Sequence, residues 1–357
     1  MSSNKTELTL PTLAGVREAR ERNAGQVVRT PLVRVPAWSR SSTAEHVENL
    51  AADVRGDGKP LEIYLKLENL QHTGCFKARA AFNALLSADR ETCRRHGVIT
   101  ASTGNFGQAL AWCAQQVGIP CTIVVSNRSA EVKVAKIRQH GASVIRVTYD
   151  KWWEMVSNRR FPGHEEKLFM HPSFDLANME GNGTIALEIL EDLPEVDAVL
   201  APFGGGGICT AIGAVMKELR PECKVYPVEL ETARKVHAAY EAGRPVDCDL
   251  TPSFIDSMGG RAVLPEIWPL AQAVSERPLT VSLNDAVRGM QTVAQATNSI
   301  AEGAAGATAA AALKGLAGAG GGKVVAIVSG GNINLEDLAL ALHGQVPPVR
   351  TAECGES

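Results

Sequence analysis

The sequence lacks the features that mark several classes of protein. Its 357 residues carry 36 basic and 39 acidic side chains, and Lys and Arg are scattered along the chain. Nucleic acid is therefore not an expected partner. No apolar run is long enough for a membrane-spanning helix, and residues 1–12 lack the apolar core of a secretory signal. We expect a cytoplasmic protein with no membrane partner.

Cysteine pairs and nucleotide fingerprints are also missing. The eight cysteines form no Cys-x-x-Cys pair and no zinc-ligand spacing, so reduced thiols are the simplest interpretation. After the glycines at 204–207, the third position of a dinucleotide motif falls on Cys209 or Thr210. Gly322-Lys323 is not followed by Ser or Thr, as a nucleoside triphosphate loop requires. A monophosphate is a better candidate ligand than a nucleotide.

Short β-branched segments alternate with longer alanine-rich segments along the chain. This is the pattern of βα units around a mostly parallel sheet. We predict an α/β protein with a small mobile domain over 97–174. The large domain would combine 1–96 and 175–345, and a tail would cover 346–357.

Two segments do not fit this alternation. Ser39 to Pro60 is polar and predicts a surface excursion. Trp152 to His164 holds two adjacent tryptophans before an Arg-Arg-Phe-Pro-Gly break. It predicts a loop anchored by aromatic packing, and the alternative is that Trp152 or Trp153 lines a pocket.

Lys77 is the side chain best placed for chemistry. It follows the turn at Thr73-Gly74, comes directly after Phe76, and opens a predicted helix over Ala78 to Leu86. A helix N-terminus and burial both disfavour the charged ammonium. A neutral lysine amine forms Schiff bases with carbonyl groups. The alternative for any single lysine is a solvated surface position.

Two loops that follow predicted strands precede helices. Gly204, Gly205, Gly206 and Gly207 precede a helix that begins near Ile208. Backbone amides at a helix N-terminus bind phosphate, and a tight structural loop is the alternative. A second loop suits a carboxylate, with an ordinary helix cap as the alternative; its residues are Ser102, Thr103, Gly104, Asn105 and Phe106.

A third loop, Ser329 to Asn332, directly follows the predicted strand Val324 to Val328. Ligands of open α/β sheets bind at the carboxyl ends of the strands, so the three loops can converge on one crevice. A reactive lysine, a phosphate cradle and a carboxylate cradle together predict a pyridoxal phosphate site acting on an amino acid.

The order of these motifs resembles that of fold-type II pyridoxal-phosphate enzymes, specifically the serine/threonine dehydratase family, which also holds serine racemase and hydroxyaspartate dehydratase. The resemblance runs from about Gly15 to His343 and includes Arg29-Thr30-Pro31-Leu32, Lys66 to Gln71 and Gly181 to Ile185. It implies two open, twisted α/β domains of the tryptophan synthase β type. Pyridoxal 5′-phosphate would lie between them, and a homodimer is usual.

The resemblance also implies roles at the cofactor. Lys77 would bind it as a Schiff base and then act as the base on the substrate Cα–H. Phe76 would pack on the pyridine ring, and Asn105 would bond the 3-hydroxyl oxygen. The amides of Gly204 to Gly207 and of Ile208 would hold the phosphate.

Further implied roles concern the pyridine nitrogen and the substrate. Ser329 would meet the nitrogen, and a hydroxyl there makes the ring a weaker electron sink than a carboxylate would. Prompt loss of a β-leaving group is then favoured. The substrate carboxylate would be bound by Ser102, Thr103, Gly104, Asn105 and Phe106, with Ser102 and Thr103 also counted as catalytic.

The chain departs from the family at several positions. Cys75 replaces the usual serine, and Phe106 stands where many members have histidine. Thr103 occupies the place of the serine that, in serine racemase, delivers a proton to the opposite face of the substrate. The methyl group of Thr103 crowds that face. Phe106, Trp152 and Trp153 suggest a bulkier or more apolar substrate than serine.

A metal is not expected. Val228-Glu229 resembles a segment beside which several family members bind a cation. Further along the chain, Lys235 stands where those family members have an acidic residue. Its ammonium would repel a cation and could replace it.

We therefore predict α,β-elimination of a 3-hydroxy amino acid such as threonine or serine, giving a 2-oxo acid and ammonia. Hydroxyaspartate or phenylserine dehydration, racemisation and β-replacement remain alternatives. A non-catalytic protein that binds the cofactor or a phosphorylated metabolite is a further one, and a plain nucleotide-binding protein is disfavoured by the missing fingerprints. We expect no second domain after Asn332, and therefore no feedback through such a domain.

Overall fold

Two β-sheets organise the chain. The computed structural model describes residues 8–36, 61–102, 104–127, 129, 131–173, 175–315 and 322–349. Ser39 to Pro60, Thr103 and the part of the tail after Val349 lie outside the described residues. The predictions made for them stay predictions.

The strands and helices follow the predicted alternation. The strands are β1 (Leu32–Arg34), β2 (Leu61–Lys66), β3 (Val98–Ala101), β4 (Cys121–Ser126), β5 (Ser143–Val147), β6 (Leu168–Phe169), β7 (Ala198–Pro202), β8 (Lys224–Leu230), β9 (Leu279–Val281) and β10 (Gly322–Ile327). The helices are α1 (Leu13–Arg22), α2 (Lys77–Ser87), α3 (Arg90–His96), α4 (Asn105–Val117), α5 (Glu131–Gln139), α6 (Tyr149–Asn158), α7 (Leu176–Asp192), α8 (Gly207–Leu219), α9 (Lys235–Ala242), α10 (Trp268–Val274), α11 (Leu283–Thr297), α12 (Gly303–Leu313) and α13 (Leu335–Leu342).

The larger sheet has the strand order β1-β2-β10-β7-β8-β9, with β1 antiparallel to β2 and the other pairs parallel. Alternate residues of β10 face opposite sides, because side chains alternate along a strand. Val325 and Ile327 pack with residues of α7 and α8, whereas Val324 and Ala326 pack with residues of α11 and α12. The sheet is therefore covered on both faces, as in a doubly wound α/β fold.

The smaller sheet has the order β5-β4-β3-β6 and is entirely parallel. Helix α2 packs on it through Phe82 and Leu85, which share an apolar cluster with Val98 and Ile123. The same helix touches α7, where a Cβ on Gly181 would lie 2.4 Å from the carbonyl oxygen of Arg79. Helix α2, which carries the predicted reactive lysine, thus lies between the two sheets. The predicted division into domains stays a prediction.

The predicted loop from Trp152 to His164 is wrong in its first half, because Trp152 to Asn158 belongs to α6. Thr148 caps this helix, since its Oγ1 accepts a hydrogen bond from the amide of Lys151 at 3.4 Å. Trp152 packs with Phe161 and other apolar residues on one face of the small sheet, and Trp153 is 50% exposed. The aromatic packing was anticipated, but it anchors a helix rather than a loop.

Four buried charges lie beneath the start of α2. Arg79 donates to the two oxygens of Glu68 at 2.8 and 2.9 Å and to those of Glu188 at 2.6 and 2.9 Å. Lys66 donates to Glu188 at 2.6 Å. Lys66, Glu68 and Arg79 are fully buried, and Glu188 is nearly so. The two cations, Lys66 and Arg79, thus neutralise the two carboxylates. Arg79 lies two residues after Lys77 in the chain.

We expect Arg79→Met to lower the free energy of unfolding by about 3–5 kcal/mol, because two carboxylates would stay buried without their main partner. Urea unfolding measures this loss. Arg20→Met is the matched control: Arg20 pairs with Glu191 at the surface, where the two side chains are 49% and 40% exposed. That pair contributes about 0–1 kcal/mol. Equal losses in the two variants would contradict the prediction.

Candidate active site

Lys77 begins α2, as predicted, and its amine lies among aromatic rings and a backbone carbonyl. Its Nζ donates to the carbonyl oxygen of Pro172 at 2.9 Å and lies 5.0 and 5.6 Å from the ring centres of Phe76 and Phe106. The side chain keeps some solvent exposure. Burial by the surrounding protein lowers the pKa of Lys77 to about 8, against the opposing influence of Cys75 and Glu302. A substantial share of the amine is uncharged slightly above neutral pH.

Hydrogen bonds bring the lysine turn, the loop after β3 and the loop after β10 together. The amide of Phe76 donates to the carbonyl oxygen of Ser329 at 3.1 Å. Asn332 Nδ2 donates to the carbonyl oxygen of Thr73 at 2.8 Å and to Oδ1 of Asn105 at 2.9 Å. The structure therefore brings together the residues that the sequence placed at the carboxyl ends of separate strands.

Glu302 is a site residue that the sequence did not reveal. It precedes α12, and Asn105 Nδ2 donates to each of its carboxylate oxygens at 3.1 Å. Burial raises the pKa of Glu302 to about 7, although the hydrogen bond from Asn105 and the charge of Lys77 act to lower it. The only signal in the sequence was an acidic residue before an alanine-rich helix, which ordinarily indicates a favourable contact with the helix dipole.

The glycine loop, Gly204 to Gly207, has the backbone of an anion cradle. It joins β7 to α8, and Gly206 precedes that helix with a φ of 87° and no side-chain cap. A Cβ on Gly205 would lie 2.4 Å from that of Ser173, so a larger residue does not fit. Amides in the first turn of a helix, such as that of Ile208, have no acceptor within the helix and can bind anions. Ser173 directly follows the proline that accepts from the lysine, so the loop borders the lysine.

Ser329 carries a buried hydroxyl. The residue is 1% exposed, and no described residue forms a hydrogen bond with its Oγ. Buried polar atoms are nearly always satisfied, so an orphan hydroxyl at the edge of a ligand crevice indicates a place for a ligand atom. A ring nitrogen would satisfy it.

The loop from Ser102 to Phe106 leads into helix α4. Ser102 Oγ accepts a hydrogen bond from the amide of Gly107 at 3.3 Å, so this hydroxyl helps to begin α4. A Cβ on Gly104 would meet no atom within 4 Å, so there is open space beside the loop. Binding of a carboxylate by this loop stays a prediction.

Several negative findings apply to the described part of the chain. It has no group of three or more His, Cys, Asp or Glu side chains that could hold a metal ion. Its seven cysteines are free thiols. None of the helices described has the length and apolar character to cross a membrane.

Comparison with known proteins decides the family. Residues 25–330 match the family described as "Pyridoxal-phosphate dependent enzyme". The chain belongs to this family. Its cofactor is pyridoxal phosphate, and the fold-type II architecture that the motif order suggested is confirmed by the solved structures it resembles.

Two relatives and one structure are representative of this enzyme's similarities. It is 35% identical to an L-threonine ammonia-lyase of Thermotoga maritima over 276 residues, which is 77% of this chain and 68% of the relative. It is 33% identical to an L-threo-3-hydroxyaspartate ammonia-lyase of a Pseudomonas species, covering 79% of this chain and 88% of the relative. The structure of maize serine racemase superposes with a TM-score of 0.80 at 26% identity, covering 94% of this chain and 98% of that one.

The site of this enzyme fits pyridoxal phosphate. The Lys77 amine suits the aldehyde, the orphan hydroxyl of Ser329 suits the pyridine nitrogen, and the glycine loop suits the phosphate. A side chain at Gly205 would not leave the loop available, because its Cβ would lie 2.4 Å from that of Ser173.

Ser329→Ala tests this fit. We expect the dissociation constant for pyridoxal phosphate to rise several-fold, because one hydrogen bond contributes about 1 kcal/mol. The cofactor-free variant should be as stable as the parent, since Ser329 Oγ has no hydrogen-bond partner in the described part of the chain. Absorbance titration and urea unfolding measure the two effects. In the control Thr308→Val, a buried hydroxyl that bonds the Ile327 carbonyl at 2.7 Å is lost. Stability should fall there without a change in affinity, and the same pattern in Ser329→Ala would contradict the assignment.

Glu302→Gln tests the buried carboxyl through the pH dependence of stability. The folded pKa of Glu302, about 7, exceeds the ordinary value of 4.5. The folded state therefore binds this proton more tightly than the unfolded chain, and stability falls as pH rises through that interval. Removing the carboxyl should flatten this fall in cofactor-free protein, as urea unfolding measures it. The control is Glu222→Gln at a side chain that is 69% exposed. Parallel profiles for parent and Glu302→Gln would refute the expected effect.

Proposed function

We propose that this enzyme catalyses α,β-elimination of a 3-hydroxy amino acid such as threonine or serine, releasing a 2-oxo acid and ammonia. The observation that carries the proposal is the Lys77 amine, whose pKa burial lowers to about 8. No described carboxylate lies within ion-pair distance of its Nζ, so the amine can take up a proton from a substrate. The two relatives, named as ammonia-lyases of such amino acids, support the same reaction class.

In this proposal the side chains around the lysine hold and orient the cofactor. When bound, pyridoxal phosphate supplies an electron sink for charge that develops at the substrate Cα. The amides of the glycine loop and Ile208 hold its phosphate, and Phe76 packs on its ring. Asn105 directs its amide to the 3-hydroxyl oxygen. Glu302 and Asn332 orient that amide, because each already bonds one end of it.

Ser329 favours prompt loss of a β-leaving group. A hydroxyl can give the pyridine nitrogen a hydrogen bond but not a full proton, so negative charge at the substrate Cα is stabilised only weakly. Early departure of the β-hydroxyl, which takes up a proton and leaves as water, relieves that charge. Lys77 takes the Cα proton, and general acid–base catalysis of this kind contributes about 10²- to 10⁴-fold. Racemisation would need a second proton donor, for which Thr103 is the candidate.

The substrate carboxylate is proposed to bind the loop from Ser102 to Phe106, at the N-terminus of α4. Phe106 has its ring beside the Lys77 nitrogen. Trp152 packs instead within the apolar cluster of the small sheet. Support for a bulky or apolar substrate side chain therefore comes from Phe106 and not from the tryptophans.

We further propose that residues 97–174 form a mobile domain, that the enzyme is a homodimer, and that it is located in the cytoplasm. Leu70 and Ile300 are each 47% exposed. They lie on adjoining segments, because Asn69 Nδ2 donates to the carbonyl oxygen of Ile300 at 2.9 Å. Neighbouring exposed apolar side chains suit burial against a second copy of the chain.

The thiols support the proposed location. The described cysteines are free, as is usual in a reducing compartment such as the cytoplasm.

A substrate panel tests the reaction. Purified enzyme would be mixed with L-threonine, L-serine, threo-3-hydroxyaspartate and phenylserine, with and without a thiol. We expect a 2-oxo acid and ammonia from at least one of them. Production of a D-amino acid or a thioether without 2-oxo acid would overturn elimination in favour of racemisation or replacement. Cofactor binding with no product from any substrate would support a non-catalytic protein.

Lys77→Ala should abolish turnover and the visible absorbance of the lysine-bound cofactor, because no amine remains to bind it covalently. Lys77→Arg should be equally inactive, since a guanidinium keeps its charge in proteins. Spectra and ammonia release measure both effects. Lys217→Ala, at a surface lysine that bonds the Ala273 carbonyl at 3.0 Å, should behave as the parent. Normal turnover by Lys77→Ala would end this mechanism.

A further inference from the structure

Lys235 is a buried lysine that the proposed reaction does not use. It begins α9 and is 3% exposed. Its Nζ donates to the carbonyl oxygens of Gly204 at 2.8 Å, Gly259 at 3.3 Å and Met258 at 3.4 Å. Among the described residues, no carboxylate lies within ion-pair distance of this nitrogen. An ammonium buried among backbone carbonyls alone is costly, so a specific role is expected of it.

The carbonyls around Lys235 come from two segments that pack tightly on each other. Gly204 is the first residue of the glycine loop, and a Cβ there would lie 2.4 Å from the carbonyl oxygen of Ser257. A Cβ on Gly260 would lie 2.9 Å from Lys235 Nζ. The lysine therefore occupies a closely fitted position that joins the loop to the segment from Ser257 to Gly260.

The contact with Gly204 determines how the next peptide group is turned. The carbonyl of Gly204 and the amide of Gly205 belong to one planar trans peptide, in which C=O and N–H point in opposite directions. Because the carbonyl points to Lys235, the Gly205 amide points away from it. A Cβ on Gly205 would meet Ser173. Ser173 adjoins the proline whose carbonyl accepts from Lys77.

We propose that the Lys235 ammonium is a built-in cation of the phosphate cradle, which holds the glycine loop in the orientation that binds the cofactor phosphate. Lys235 is a positioning residue, since it touches the loop backbone and not the cofactor. Burial lowers the pKa of Lys235 to about 8, and nearby Glu229 opposes this shift. Glu229 itself accepts from the amides of Val236 and His237 at the start of α9, at 2.8 and 3.2 Å, so it holds the same helix end.

Cofactor affinity tests the proposal independently of turnover. Lys235→Ala and Lys235→Met should raise the dissociation constant for pyridoxal phosphate roughly 10- to 100-fold, the range for one charge-assisted hydrogen bond. Titration of the cofactor-free proteins, followed by absorbance and by protein fluorescence, measures it. The matched control is Lys217→Ala, which also removes an ammonium from a backbone carbonyl but at the surface. Its affinity should equal that of the parent.

Chemical rescue shows whether Lys235 acts through its positive charge or only by filling space. Lys235→Ala leaves a cavity lined by carbonyl oxygens, which ammonium ions can enter, so ammonium chloride should restore much of the lost affinity. Tetramethylammonium chloride at equal ionic strength should not, because it has no N–H donors. Lys235→Met fills the cavity and should not respond to either salt.

Several outcomes would overturn the proposal. One is an unchanged dissociation constant in both variants; another is a fall in melting temperature with unchanged affinity, which would make Lys235 a structural residue only. A loss of affinity in Lys235→Ala that ammonium does not relieve would also count against a cation. If no substrate yields a 2-oxo acid, the proposed reaction fails while these affinity measurements still decide the role of Lys235.

Discussion

Charge neutralisation around buried Arg79 is the constraint on which the position of Lys77 depends. A guanidinium offers five N–H donors in a fixed plane, and here it faces carboxylates from the segment after β2 and from α7. A shift of α2 by one residue would leave buried charges without partners, at a cost of several kcal/mol. The first turn of α2 is thereby tied to the large sheet while its apolar face packs on the small one.

The site follows from this anchor because backbone groups and short polar side chains link the remaining loops to α2. Asn105 contacts both Glu302 and Asn332, so its amide has one orientation before any ligand arrives. Preorganised dipoles of this kind need no rearrangement when charge develops, which is why they favour catalysis. Ser329 contributes in a different way, because its Oγ has no hydrogen-bond partner among the described residues and is available to a ligand.

Much of the fold could be predicted from local pattern. The predicted helix from Ala78 to Leu86 is helix Lys77–Ser87, and the predicted strand from Val324 to Val328 is strand Gly322–Ile327, since β-branched runs and helical periodicity are strong local signals. Helix α6 was not predicted, because the Arg-Arg-Phe-Pro-Gly segment that follows it is typical of a loop. Its apolar Trp152, Met155 and Val156 have helical spacing, and the structure shows that spacing packed on the small sheet.

The sequence by itself determined the class of the protein: alternating βα units, a lysine at a helix start, and glycine and hydroxyl loops after strands. These are properties of neighbouring residues, so they can be read along the chain. Only the tertiary structure decided which groups meet. Glu302 reaches Asn105, and Lys235 reaches Gly204, across long stretches of chain. The physical reason is burial: a carboxyl or an ammonium acquires a shifted pKa and a defined partner only when folding removes it from water.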